Sequence, residues 1–187
     1  MTIKNLLIIF VCAISFGTFA QTKLIAGLKV PSTTIVNGKT LVLNGGGLRE
    51  KYWIDLYVGS LYLENKSSES GKIIYADDYQ AIHIKIVSNS VTRERFIESV
   101  KEGFERATSG KATDEQIKKL ISFFSQEIKS GDKILLEYIP SKGIVVTKNG
   151  DVKGTVGNLE FKKALFSIWL GSKPADETLK KGMLGKD

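Results

Sequence analysis

Leu43-Asn-Gly-Gly-Gly-Leu-Arg49, continued by Glu50-Lys-Tyr-Trp-Ile-Asp-Leu-Tyr-Val-Gly-Ser-Leu-Tyr-Leu-Glu64, is the stretch that decides the fold. From about Glu50 to Leu63 it reads as one strand. Trp53, Asp55, Tyr57, Gly59 and Leu61 lie on one face, and Tyr52, Ile54, Leu56, Val58, Ser60 and Tyr62 on the other. Both faces carry aromatic or aliphatic groups, the mark of a central strand covered on both sides. The glycine run before it has no following Lys-Ser/Thr and leads into a strand, so it is not a phosphate-cradling loop. A bend or bulge between strands is its expected role. Arg49 leads into this doubly covered strand, and a buried charge without a partner is too costly to keep. It therefore calls for a counter-anion or a route to water, which points to a pocket with an anionic guest. The plainer alternatives are an exposed strand-edge arginine, or one paired with a structural acid such as Asp55.

Working outward, Thr33–Val36 and Thr40–Leu43 flank Asn37-Gly38-Lys39, a hairpin signal because Asn-Gly accepts positive φ cheaply. Asn65–Gly71 reads as a polar loop. Ala81–Val87 alternates as a half-buried strand, with Ile82, Ile84 and Ile86 inward and His83 and Lys85 outward. The period then changes to helical. Phe96, Val100, Phe104 and Ala107 share a face behind a Thr92 cap, ending at Ser109-Gly110. Thr113-Asp-Glu-Gln116 is a capping box that opens a second helix reaching toward Ile128. Strands are expected at Lys133–Ile139, Gly143–Lys148 and near Val152–Val156. A third helix follows, capped by Asn158, and a fourth opened by Pro174. Strands joined by tight turns, interrupted by helices, predict an α+β open-faced sandwich: an antiparallel sheet with a layer of helices on one face.

The first twenty residues stand apart. Lys4, the apolar run Leu6 to Ile14 and the small residues Gly17-Thr18-Phe19-Ala20 have the layout of a secretory signal peptide, cut between Ala20 and Gln21. The reading is thus a signal peptide over 1–20 and one domain over 21–187, exported and periplasmic or secreted after cleavage. No stable membrane insertion is expected once the leader is gone. Cys12, in the leader, is the single cysteine, so the domain can form no disulfide, thiolate metal site or cysteine nucleophile. His83 is the single histidine, which excludes a multi-histidine metal site, and no cofactor is expected. The 27 Lys and Arg against 20 Asp and Glu are scattered, without an aromatic-interleaved stripe. A solvated basic surface follows, with no nucleic-acid partner.

Gly45-Gly-Gly-Leu-Arg49, the segment through Tyr62-Leu63-Glu64, and Ala164-Leu-Phe-Ser-Ile-Trp-Leu-Gly171 through Pro174-Ala-Asp resemble the chalcone isomerase fold family. The closer likeness is to its bacterial exported chalcone isomerase-like branch. The resemblance implies a cleft between sheet and helices. In plant enzymes of the family that cleft closes a chalcone to a flavanone by positioning and electrostatics, without a cofactor. Other members hold fatty acids, with the arginine meeting the carboxylate. Position by position, the resemblance implies that Arg49 takes the place of the family arginine and Tyr57 that of a catalytic threonine. Phe96 replaces the catalytic tyrosine and lacks its hydroxyl. Gly103 replaces an asparagine, and Ser167 takes the place of a pocket threonine or serine. These five residues are the expected ligand site. Two polar groups of the isomerase set are lost, so the expected role is a non-catalytic binder of a fatty acid or similar amphipathic organic acid. The alternatives are a cofactor-free isomerase on an enone or phenolic substrate, and an envelope scaffold in which Arg49 is structural. Protein partners are left open.

Overall fold

The computed structural model describes residues 21–186; the leader read at residues 1–20 lies outside the described residues. Its centre is a seven-stranded antiparallel sheet in which every strand pairs with its chain neighbours. The strands are β3 (Thr33–Val36), β4 (Lys39–Lys51), β5 (Ile54–Leu63), β6 (Gln80–Ile86), β7 (Lys133–Ile139), β8 (Gly143–Lys148) and β9 (Asp151–Val156). A separate hairpin, β1 (Thr22–Ile25) and β2 (Leu28–Pro31), precedes them. The helices are α1 (Ser70–Tyr75), α2 (Arg93–Arg106), α3 (Asp114–Ser122), α4 (Leu159–Leu170) and α5 (Glu177–Met183).

All five helices lie on one face of the sheet. Their buried residues, among them Ile73, Phe96, Leu120, Phe161, Leu165 and Leu179, share a single core with Leu61, Ile82, Ile84, Ile86, Ile134, Leu136 and Val146. The opposite face is not bare. Ile25 and Val30 of the β1–β2 hairpin pack there against Val58, Tyr62, Ala81 and Leu43. The Tyr62 hydroxyl donates to the Pro31 carbonyl oxygen at 2.9 Å, fixing the hairpin to the sheet. The sequence reading contained no such hairpin, because its turn at Ala26-Gly27 sits in a stretch without clear alternation.

Local chemistry starts the helices where the residue types predict. Arg95 N donates to the Thr92 hydroxyl, and Phe161 N donates to Asn158 Oδ1 at 3.1 Å. Thr113 and Gln116 bond reciprocally, Gln116 N to Thr113 Oγ1 at 3.2 Å and Thr113 N to Gln116 Oε1 at 2.9 Å. The fourth helix is capped by Asp176, whose Oδ1 accepts from Leu179 N at 2.8 Å, so it begins later than Pro174. The second stops at Ser122, short of Ile128.

Three readings are corrected. Glu50–Leu63 is not one strand: the chain reverses at Tyr52 and Trp53, both at positive φ (53° and 66°) and both highly exposed. Aromatic residues are poor signals for such a turn, which favours Asn-Gly, so nothing in the residue types marked it. The expected loop Asn65–Gly71 ends earlier than read: its last two residues open the short helix α1, which the sequence reading did not contain. His83 does not face solvent: it is largely buried beside the Tyr62 ring, 4.5 Å between centroids, on the face the first hairpin covers.

The triple glycine lies within β4 rather than between strands, after a register shift at Leu43/Gly45. The shift is the expected bulge, but the glycines have a further role. A Cβ at Gly45 would sit 2.1 Å from the Gly182 carbonyl oxygen, whereas one at Gly47 would make ordinary contact with Leu179. Glycine here lets α5 lie directly on the strand. Asn44 fastens the arrangement, donating to the carbonyl oxygens of Met183 (2.8 Å) and Ser67 (2.9 Å).

Candidate functional site

Arg49 and Tyr57 are directly opposite each other on β4 and β5, and a second register shift follows at Arg49/Glu50. Flanked by two irregularities, the glycine–arginine segment is held by α5 at one end and released toward the hairpin tip at the other. The Arg49 side chain is placed on the helix side of the sheet and is only 7% exposed. Its Nη1 donates to the Tyr57 hydroxyl at 3.4 Å, and the guanidinium carbon lies 5.6 Å from the centre of the Tyr57 ring. Its Nε is buried and without a hydrogen-bond partner. Among the described residues no carboxylate comes within 4.0 Å of the Arg49 guanidinium, so pairing with Asp55 does not occur.

The Tyr57 hydroxyl also accepts from Trp169 Nε1 at 2.8 Å. A phenolic oxygen has two lone pairs and one proton. With both lone pairs engaged by Trp169 and Arg49, the proton is left to donate elsewhere. The two unmet donors, Arg49 Nε–H and Tyr57 O–H, thus belong to adjacent, mutually bonded side chains. Such a pair suits an acceptor with two oxygens.

The neighbouring space is apolar. A cavity of about 50 Å³ is lined by Arg49, Leu56 and Tyr57 from β4 and β5, by Ile84 and Leu136 from β6 and β7, and by the helix layer. From the helices come Phe96, Ser99 and Val100, then Leu120 and Phe124, and finally Leu165, Ile168 and Trp169. Phe96 meets Phe124 edge-on, 4.9 Å between ring centres, and closes the roof. Burying an arginine against so many hydrocarbon groups without a counter-charge is unfavourable for the empty protein.

Of the five residues named from the sequence, the structure brings Arg49, Tyr57 and Phe96 to this cavity. Gly103 and Ser167 are not brought to it. Gly103 is where α2 passes close to α4, since a Cβ there would lie 2.9 Å from the Ile168 side chain. Ser167 turns its hydroxyl back to the Ala164 carbonyl oxygen of its own helix at 3.0 Å. Both sit on the correct helices but face packing partners, because positions a turn apart on a helix look alike in a sequence. Trp169 and Ser99 were missed. The helix carrying Trp169 is buried almost all round, Lys162 and Ser167 included, so periodicity singles out no face.

Among the described residues, no helix is long and apolar enough to cross a membrane. No curated protein compared with the chain matches it. Among solved structures, the crystal structure of a fatty-acid binding protein from Arabidopsis thaliana is similar, with a TM-score of 0.68 at 22% sequence identity. That likeness covers 84% of this chain and 92% of the other, and at this identity it speaks for the fold. The sequence profile of the chalcone isomerase-like family matches residues 22–185, running from the first hairpin through α5. With the glycine–arginine strand, the helix layer and the enclosed arginine all inside that span, the chain belongs to the chalcone isomerase-like family.

Proposed function

We propose that this protein is a non-catalytic binder of a fatty acid or a similar amphipathic organic acid, held between sheet and helices with its carboxylate on Arg49. One observation carries the reading: a buried guanidinium with an unpartnered Nε, no carboxylate beside it, and hydrocarbon around it. An anionic head group would supply the missing charge and accept from both Arg49 and Tyr57. That charge-assisted contact contributes roughly 1.5–3 kcal/mol. Each methylene withdrawn from water adds about 0.8 kcal/mol, so the tail sets most of the affinity. The fatty-acid binding named for the Arabidopsis protein of the same fold supports this class of ligand.

The isomerase alternative is less well supported. Phe96 offers no hydroxyl to polarise an enone carbonyl, and about 50 Å³ beside Arg49 is far less than a two-ringed substrate needs. For scale, an apolar cavity of ~150 Å³ takes one benzene. We further propose export, with the leader removed after Ala20; amino-terminal sequencing of the protein recovered from the periplasm tests this.

The ligand reading is tested by native mass spectrometry and by displacement of a fluorescent fatty acid. Bound acid is expected for the wild-type protein, with affinity reduced about 10- to 100-fold in Arg49→Ala. An unliganded protein with no displacement, or an Arg49→Ala variant that binds as well as wild type, would remove the proposal.

A further inference from the structure

The cavity at Arg49 has a neighbour. A groove of about 390 Å³ runs between α2 and the end of the β4–β5 hairpin, and it shares Leu56 and Ser99 with the inner cavity. Those two residues border both compartments, which makes them the shared boundary at which the two spaces meet. The groove is floored by Ile54 and Val91 and edged by Tyr52, with Arg95, Glu98 and Glu102 along α2 and Lys51 across from them. Tyr52 is 81% exposed and Ile54 is 43% exposed, so apolar surface there is left to water in the empty protein.

The two volumes divide the tasks. About 50 Å³ is a third of the ~150 Å³ that takes one benzene, so it has room for a carboxylate and its first methylenes and not for a long alkyl chain. The groove has the room the inner cavity lacks. Its charges are mixed, two basic against two acidic side chains, so it gives no net attraction for an anionic head. The unpaired guanidinium lies inside, and the open hydrocarbon surface lies outside. Resting on the reading of Arg49 as the head-group anchor, we infer that the ligand is a slim, unbranched single-chain carboxylic acid whose tail leaves the cavity between Leu56 and Ser99. It then runs along the groove beneath Tyr52. Acids with a ring or branch on the carbon that bears the carboxyl group are excluded by the width of the inner compartment, whereas a substituent from about the fifth carbon onward lies in the groove.

Two fluorescent reporters sit at opposite ends of this path. Trp169 is hydrogen-bonded to Tyr57 at the head, and Trp53 is at the hairpin tip next to Tyr52; these are the two tryptophans of the chain. Stearic acid carrying a nitroxide near the carboxyl (5-doxylstearate) is expected to quench Trp169. The same acid labelled near the tail end (16-doxylstearate) is expected to quench Trp53, so in Trp53→Phe its quenching is largely lost and that by 5-doxylstearate is kept. Binding of the unlabelled straight-chain series should tighten about fourfold per methylene until the groove is filled. Ser99→Trp, which plugs the shared boundary and leaves Arg49 and Tyr57 in place, should weaken stearate at least tenfold with the melting temperature near that of wild type. Equal quenching by 16-doxylstearate in wild type and Trp53→Phe would put the tail inside and overturn the path, while acid binding itself stood. Quenching by neither probe would overturn the acid-binding reading and the path together. If Ser99→Trp does not fold, the pair of labelled acids still decides.

Discussion

Two buried cations on the same side of the sheet are treated in opposite ways. Lys162, on α4, is 0% exposed, and its Nζ donates to three carbonyl oxygens at the end of α1: Ile73 at 2.7 Å, Ile74 at 3.1 Å and Ala76 at 2.9 Å. All three ammonium hydrogens are used, and the same contacts terminate the helix. Lys148 follows this pattern, with Asp132 at 2.9 Å and the Glu127 carbonyl oxygen at 2.7 Å. Arg49 has one long bond to a tyrosine and a bare Nε. Burial pushes Lys162 down to about 7, against the pull of Asp78 and Asp77, so a lysine can relieve its burial by giving up a proton. Arginine cannot, and stays charged wherever it is put. A satisfied lysine serves the fold; an unsatisfied arginine is what the proposed ligand would satisfy.

Breaking the satisfied site should have the largest effect. Lys162→Met leaves the Ile74 and Ala76 carbonyl oxygens without this donor, while Ile73 keeps Gln80 Nε2 at 3.0 Å, and is expected to cost about 3 kcal/mol in urea unfolding. A loss below about 1 kcal/mol would show that α1 does not depend on this contact.

His83 tests the same idea with a neutral group. Burial lowers it to about 4 from an ordinary value near 6.5. Between those pH values the unfolded chain binds the proton and the folded one does not. Stability therefore falls as pH drops from about 6.5 to about 4, by about 3 kcal/mol, and this contribution changes no further below that. His83→Phe, which keeps the contact with Tyr62, should flatten the slope in a pH series of melting curves. An unchanged slope would assign the acid sensitivity to other groups.

At Arg49 the comparison predicts a split. Arg49→Met should lose the labelled fatty acid, by about 2 kcal/mol of head-group affinity, while the empty protein keeps or gains stability because the Tyr57 hydroxyl retains its shorter bond from Trp169. A melting temperature that drops as far as in Lys162→Met would mean that the guanidinium is structural. The smallest effect is expected for Tyr57→Phe. Losing the acceptor of the Trp169 N–H should cost about 1 kcal/mol of stability and a similar amount of ligand affinity, read by calorimetry.

Much of the fold was legible because it depends on local chemistry. β7 and β8 occupy the predicted residues, and Thr92, Thr113 and Asn158 cap the helices predicted from them. Each is a short-range pattern: alternation, or a side-chain oxygen three residues from a free N–H. The illegible parts had no such pattern. The Tyr52-Trp53 reversal uses residues that disfavour positive φ, α1 has six residues without an acidic first turn, and His83 follows the alternation of an exposed position. Arg49 could be named from the sequence because an arginine beside a long apolar run is a conflict visible in one dimension, even though the run is split by the Tyr52-Trp53 reversal and Arg49 lies on β4, opposite β5.

The residues by themselves determined an antiparallel sheet with helices on one face, the starts of three helices, and that one guanidinium had to be reconciled with a hydrocarbon interior. Only the packed chain decided how. It withheld a carboxylate from Arg49 and placed Trp169, 112 residues after Tyr57, on the tyrosine oxygen. It also turned Gly103 and Ser167 toward helix contacts, and set a groove beside the cavity along α2. Hydrogen-bond caps and alternation act within a few residues, whereas a void and an unmet donor exist only where distant segments meet.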